Sequence, residues 1–529
     1  MKYFILLGLL ALGLISCKKE KYALHVVTND TLVLTPMEIE KSIAFDSMLL
    51  REKSKDIQLF YRNNAFKTGW SQTKNREDLI ESIKKLEEDG MPLKQFPLEE
   101  LGKFHNNYTA LTDTVKVKAD ILFSETFFKV ALQLYNGVLN PKKLYSDWDI
   151  ESKVINLPST LHLTLSHDAI PIAFDSIRPK SPVYTQLKSA LATLRALPDE
   201  EFPELKTINK IKINDSLPEI VSLKKRLIYW QDLAPNDSLN AVFDQATVDA
   251  LKRFQLRNGI DETGLLDKET IASLNESKEH LIQKVVANLE RWRWYPRKLG
   301  TDYVLVNIPD FTLIAVSHGD TVQKHKIIVG TPVRKTPILS SRFSGLIINP
   351  TWTVPPTILK NDLVPAASKN RSYFANRGFT IYDNKGNIVQ AEDWDPQRAR
   401  SYRYVQKPGK ANSLGRIKFD FKNNHLVYLH DTNNKNNFNR DNRDLSSGCV
   451  RVEDPFDLAE YILTTEQSKY TMKQINQWLD TEKTQHIPLQ KAIEIHQLYW
   501  TAWKDKNGIQ FRNDIYNLDA DLYEKLQLN

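Results

Sequence analysis

Hydrophobic positions along this 529-residue chain change period as the sequence is followed. Through residues 54–148 the repeat is helical. Leu79, Ile83 and Leu86 share one face ahead of Gly90 and Pro92, and Leu122, Phe128, Leu132 and Tyr135 make a second stripe closed by Gly137 and Pro141. Residues 150–215 mix helix and loop. A compact helical module follows at 217–276, with Leu223, Leu227 and Trp230 on one face. Asp244 can cap a helix carrying Val248, Leu251 and Phe254, and Asp267 can cap a last short helix through Ile271 and Leu274. From residue 288 the pattern turns to strands. Segments 303–308, 311–316 and 321–329 alternate around Pro309-Asp310 and His318-Gly319-Asp320, which predicts a meander. Further strands are expected at 346–352 and 425–430, and the Lys506-Asn507-Gly508 turn marks a hairpin that would close the sheet. Residues 365–414 carry few strand signals. An insertion of that length in a β domain is usually functional, often a lid.

These periods predict an α+β multidomain chain. Its parts are a helical domain at 46–216, a small three-helix domain at 217–276, and a β-rich domain at 288–516 with its insertion at 365–414. At the N-terminus, Met1-Lys2 precedes an apolar run over residues 4–15, shorter than the roughly 20 residues a membrane span requires. Leu14-Ile15-Ser16-Cys17 resembles a bacterial lipobox. It implies a signal peptide at 1–16, a lipid on Cys17, and a charged tether at 17–45 that begins Lys18-Lys19-Glu20-Lys21. The expected location is the cell envelope, on the periplasmic side, anchored to a membrane.

With 41% hydrophobic and 10% aromatic residues, the domains can build ordinary cores. A net charge of +7 on a chain that is 26% charged is a mild excess without a dense basic stripe, so nucleic acid is not an expected partner. The histidines are scattered, HExxH is absent, and His162 and His167 lie in an apolar stretch, so no metal is expected. Neither GxGxxG nor a Walker loop occurs, and no cofactor is expected.

The candidate chemistry lies in one short segment. The chain has two cysteines. If Cys17 is lipidated, Cys449 is left as a free thiol, in Ser446-Ser447-Gly448-Cys449-Val450-Arg451-Val452. A free thiol has a pKa near 8.5 and is only about 3% thiolate at neutral pH unless activated. His430, ending the apolar run 426–429, can take the thiol proton and later protonate a leaving amine. Taken alone, either residue is as readily a buried side chain.

The stretch HDTNNKNNFNRDNRDLSSGCVRV at 430–452 resembles the active-site signature of the L,D-transpeptidases, the YkuD-like catalytic domain. Ser447 stands where small family members carry a second histidine, and larger members with a scaffold domain often have Ser-Ser-Gly-Cys. In the family this position acts through its backbone carbonyl, which serine also has. RWRWYP at 291–296, VGTPVRKTPILSS at 329–341 and NPTWTVPPTI at 349–358 fit the same large branch. Gly69-Trp70, 137–141 and Trp148 resemble its scaffold domain, and residues 243–275 resemble the three-helix peptidoglycan-binding domain.

The resemblance implies that Cys449 attacks the third-position carbonyl of a peptidoglycan tetrapeptide stem, with D-Ala leaving on a proton from His430. Backbone N–H groups at the Gly448 turn would form the oxyanion hole, where each donor is worth roughly 3 kcal/mol. The side-chain amine of a second stem would then resolve the thioester and cross-link the two. Arg451 is placed to hold a stem carboxylate, with an ion pair to Asp444 or Glu453 as its structural alternative. Trp352, Tyr428 and Ser447 complete the expected substrate pocket. Other readings stay open: an L,D-carboxypeptidase resolving the thioester with water, a sortase-like enzyme, and a non-catalytic peptidoglycan-binding lipoprotein. The helical module could bind glycan or only brace its neighbour.

Overall fold

The computed structural model describes residue 37 and residues 39–206, 211–235, 239–491 and 493–528. The expected signal peptide, Cys17 and most of the tether lie outside the described residues. No helix among the described residues is long and apolar enough to cross a membrane.

The N-terminal part is a helical bundle around Asp113–Asn136. That helix is buried on most of its circumference, because Lys55–Asn63, Thr73–Lys84, Leu157–Ser166 and Ile170–Ile177 surround it. Its core stripe is Phe123, Phe127, Val130 and Leu134, packed with Phe60, Trp70 and Phe174. The predicted stripe is therefore partly wrong: Phe128 and Tyr135 are buried, but Leu132 is 45% exposed. A helix enclosed on several sides carries more than one apolar stripe, and periodicity alone does not say which is solvated. Asp120 anchors the bundle, accepting from the Gly69 and Trp70 amides at 2.9 and 2.7 Å and from the Tyr61 hydroxyl at 2.7 Å. Burial nonetheless pushes its carboxyl up to about 6.

Helix Pro182–Ala196 leaves this bundle and packs on the C-terminal core instead. Trp148–Asp149 likewise pairs in parallel with Ile338–Ile348 of the C-terminal sheet. The junction is sealed by buried charges. Arg293 donates to Glu290 at 2.6 Å and to the Asp89 carbonyl at 2.7 Å, and Arg178 binds the Asp89 carboxylate at 2.9 Å. Buried pairs of this kind cost several kcal/mol when one partner is removed.

The small module has its own core of Leu223, Leu227, Leu251, Phe254, Ile271 and Leu274. Both predicted caps are present: Asp244 accepts from Thr247 N at 2.9 Å, and Asp267 from Thr270 N at 2.8 Å. Each is worth about 1 kcal/mol.

The C-terminal sheet closes on itself. In spatial order its strands are Ile338–Ile348, Ile417–Phe421, Leu429–His430, Val450–Val452, Asp320–Gly330, Thr312–Ser317, Asp302–Asn307 and Glu494–Leu498, which pairs back to Ile338–Ile348. The closing strand is Glu494–Leu498, and the expected closure by the 506–508 hairpin is incorrect. That hairpin, Ala502–Asp505 with Gly508–Phe511, forms a separate two-stranded sheet. The insertion also differs from the expected loop. It has a four-stranded sheet of Trp352–Thr353, Arg403–Gln406, Phe379–Tyr382 and Ile388–Val389, over a core including Leu363, Phe374, Trp394 and Tyr404.

Candidate active site

Cys449 lies at the end of a tight turn before Val450–Val452, which runs parallel to Leu429–His430. The register sets Leu429 opposite Val450 and His430 opposite Arg451. Because side chains alternate across a strand, Tyr428, His430, Cys449 and Arg451 share one face. Lys418 joins them, paired opposite His430 on the other side. The sheet thus brings together four residues marked in the sequence and adds Lys418, whose role no motif signals.

The turn is held from beneath. Gly448 sits at φ +110°, and a Cβ there would come within 3.2 Å of the Lys335 carbonyl, so glycine meets both a backbone and a space requirement. The Ser446 hydroxyl donates to the Cys449 carbonyl at 2.6 Å and accepts from the Gly448 amide at 3.1 Å. Thr336 donates to the Gly448 carbonyl at 2.9 Å and accepts from Gly330 N at the same distance. The Tyr516 hydroxyl accepts from Thr336 N at 3.0 Å and donates to the Gly330 carbonyl at 2.8 Å. The Gly448 N–H is therefore engaged. The Cys449 amide has no acceptor among the described residues and is the donor left open at this turn.

His430 is buried, and its Nδ1 lies 2.5 Å from the Asp431 carbonyl. That carbonyl, rather than a carboxylate, orients the ring. Asp431 is itself fixed by the Arg416 amide at 2.8 Å and by an ion pair to Lys435. Gly415, at φ +61°, leaves room for the Asp431 carboxylate where a Cβ would collide. Burial first, and then the Arg451 guanidinium, lower His430 to about 3, so the ring is neutral at ordinary pH. Burial also raises the Cys449 thiol. The resting pair is neutral thiol and neutral imidazole.

The thiol's polar neighbour is the Tyr428 hydroxyl, which also lies against Trp352 of the insertion. Among the described residues no hydrogen bond joins Cys449 to His430, its diagonal neighbour across the strand pair. The Tyr428 ring meets His430 edge-on at 5.6 Å, and the Lys418 ammonium sits 4.2 Å over its face. Arg451 makes no ion pair with Asp444, Glu453 or any other described carboxylate, and its buried Nε has no acceptor. Ser447 is half-buried beside the turn. Arg334 holds Asp362 of the insertion at 2.5 Å, which ties the insertion to the loop beneath Gly448.

Comparison with known proteins fits this arrangement. Residues 301–484, which contain His430 and Cys449, match the YkuD L,D-transpeptidase catalytic domain. Residues 55–191 match the scaffold domain, and residues 216–274 match a peptidoglycan binding domain. A Haemophilus influenzae (strain Rd) protein provisionally named an L,D-transpeptidase is 34% identical over 268 residues, 49% of this chain and 53% of that protein. The match thus spans about half the length of that curated relative. A Stackebrandtia nassauensis L,D-transpeptidase structure aligns over 56% of this chain and 97% of its own, at 12% identity and a TM-score of 0.20. Mycobacterium tuberculosis L,D-transpeptidase 1 aligns over 37% and 61%, at 11% identity and 0.17. Superpositions this loose carry no argument. The sequence matches do: residues 301–484 are an L,D-transpeptidase catalytic domain of the YkuD family, preceded by a scaffold domain and a peptidoglycan-binding domain.

Proposed function

We propose that this protein is a peptidoglycan L,D-transpeptidase in which Cys449 is the nucleophile and His430 the general base and acid. The observation that carries the reading is the shared sheet face, with an unengaged Cys449 amide beside the thiol and an unpaired Arg451 two residues on. Cys449 Sγ attacks the third-position carbonyl of a tetrapeptide stem while His430 takes the thiol proton. The Cys449 N–H stabilises the oxyanion. Collapse breaks the amide bond, and His430 returns the proton to the departing D-Ala amine, leaving a thioester. The side-chain amine of a second stem attacks that thioester, gives up a proton to His430 and releases the thiol. Arg451 holds a stem carboxylate, and Trp352, Tyr428 and Ser447 wall the pocket. Mass spectrometry of products from purified protein and tetrapeptide stems tests this reading. Dimers support it, tripeptides alone favour the carboxypeptidase, and unchanged stems favour a wall-binding protein.

The insertion is the proposed lid. It contributes Trp352 to the site, and Asp362 anchors it to Arg334. Closure over the donor stem would shield the thioester from water. Shortening the segment between Phe374 and Arg403 while keeping Trp352 is expected to raise tripeptide relative to dimer severalfold. An unchanged ratio would remove the lid role.

The lipobox reading places the enzyme in the cell envelope, attached through Cys17. Cys17→Ala is expected to move the protein from the detergent phase to the aqueous phase while product formation continues. Aqueous partitioning of both forms would refute the anchor.

A further inference from the structure

A cavity of about 480 Å³, none of whose lining residues belongs to the Cys449 site, opens where three parts of the chain meet. Its walls are the end of helix Pro182–Ala196, helices Pro218–Tyr229 and Gln245–Arg257 of the small module, and the hairpin tip between Ala502–Asp505 and Gly508–Phe511. A cleft of this size can seat part of an extended ligand.

Its charges are unbalanced. Asp232, the only acid in the lining, is already engaged: its carboxylate holds Arg257 Nε at 2.8 Å, and Arg257 Nη1 reaches the Ile509 carbonyl at 2.8 Å. Arg253 donates only to the Asp232 main-chain carbonyl, at 2.8 and 3.1 Å. Lys504 meets only the Ser189 hydroxyl, at 3.1 Å, and Lys506 is exposed with no ion pair among the described residues. Three cations thus face the cleft without a carboxylate. The other wall is apolar, with Leu197 in the lining and Leu256 38% exposed. Trp230 adds a buried indole N–H that has no acceptor.

Unpaired cations, an apolar wall and one unsatisfied donor suit a ligand with carboxylates, apolar groups and amide carbonyls. We propose that this cleft is a second, non-catalytic site for peptidoglycan, and that it takes the acidic stem of an uncross-linked strand. The stem carboxylates lie on Arg253, Lys504 and Lys506, an acetamido or peptide carbonyl accepts from Trp230, and the apolar groups rest on Leu197 and Leu256. Because scaffold helix, small module and catalytic hairpin each supply a wall, a strand bound here is held in a fixed position relative to the catalytic domain. The proposal rests on the peptidoglycan reading above and assigns the small module binding rather than bracing.

The test is co-sedimentation of the full Cys449→Ala chain with purified sacculi, against the same chain carrying Arg253→Gln/Lys506→Gln or Lys506→Glu alone. Lys506 makes no described side-chain contact, so its variant keeps the fold. Each altered chain is expected to bind sacculi roughly fivefold more weakly, the sum of two exposed ionic contacts, and with a shallower salt dependence. In the Cys449-intact background, acylation by a soluble tetrapeptide stem is expected to be unchanged. Unaltered affinity for sacculi would overturn the proposal, as would a loss confined to anionic lipid vesicles. Absent acylation alongside the expected sacculus pattern would overturn the enzymatic reading and leave the cleft assigned.

Discussion

Cys449→Ala is expected to abolish cross-linking of tetrapeptide stems, by roughly a millionfold, the order seen when a covalent catalyst loses its nucleophile. The size follows from the site's contents. Cys449 is the free cysteine among the described residues, and its neighbours Tyr428, Lys418 and Arg451 are all held at raised phenol or cationic states unsuited to acyl transfer. Cys449→Ser should be nearly as inactive, because a hydroxyl is a far weaker acid than a thiol and its base, His430, is held at low basicity. The same variants should lose the covalent adduct that the family resemblance implies for carbapenem-type β-lactams. Intact-protein mass spectrometry reads both effects. An adduct that persists on the alanine variant would sink the assignment of Cys449. Thermal unfolding serves as the control: Cys449 is only partly buried against the core, so its truncation is expected to cost about 1 kcal/mol.

Cys449 and His430 were legible because motif, spacing and cysteine count agree on them. What fixes them in place was not. Thr336, Tyr516 and Ser446 act through hydrogen bonds to backbone atoms, and the contacts of Thr336 and Tyr516 join residues more than a hundred positions apart. No local pattern announces such partners. The motif at 329–341 was recognised, but nothing in it marked Thr336 as the support for Gly448. Tyr428 was read as a pocket wall, and its hydroxyl against the thiol follows only from the strand register. The barrel-closing strand Glu494–Leu498 escaped notice because His496 and Gln497 look solvated. His496 is in fact buried, with Ser340 at 2.9 Å and the Leu299 carbonyl at 2.8 Å satisfying its ring. The insertion hid its sheet because strands of two to four residues, broken by short helices, give alternation too brief to detect.

The protonation of His430 sets the second large effect. Burial and the cations Arg451 and Lys418 hold the ring at about 3, against an ordinary value near 6.5. The partners of the Asp431 carbonyl and the Leu414 backbone oppose this only in part. Lys418 is partly neutralised by Asp420 at 2.7 Å, and Asp431 is occupied by Lys435, so Arg451 is the uncompensated charge. The acid limb of kcat/KM, which reports the free enzyme, should therefore lie well below pH 5. A stem carboxylate bound on Arg451 would cancel that charge and make His430 more basic when the thiol must lose its proton. The acid limb of kcat should then lie above that of kcat/KM. Arg451→Met is expected to move the free-enzyme limb up toward pH 6.5 and to raise KM about tenfold or more. Stability follows with a defined sign. A histidine whose folded pKa is depressed contributes stability that is complete above its unfolded value and lost as pH falls toward the folded one. Between pH 6.5 and 5 the wild type should lose about 2 kcal/mol that His430→Gln does not lose. Paired denaturation curves and pH–rate profiles measure both effects. A kcat/KM limb near pH 6.5 in the wild type would mean that Arg451 does not govern the base.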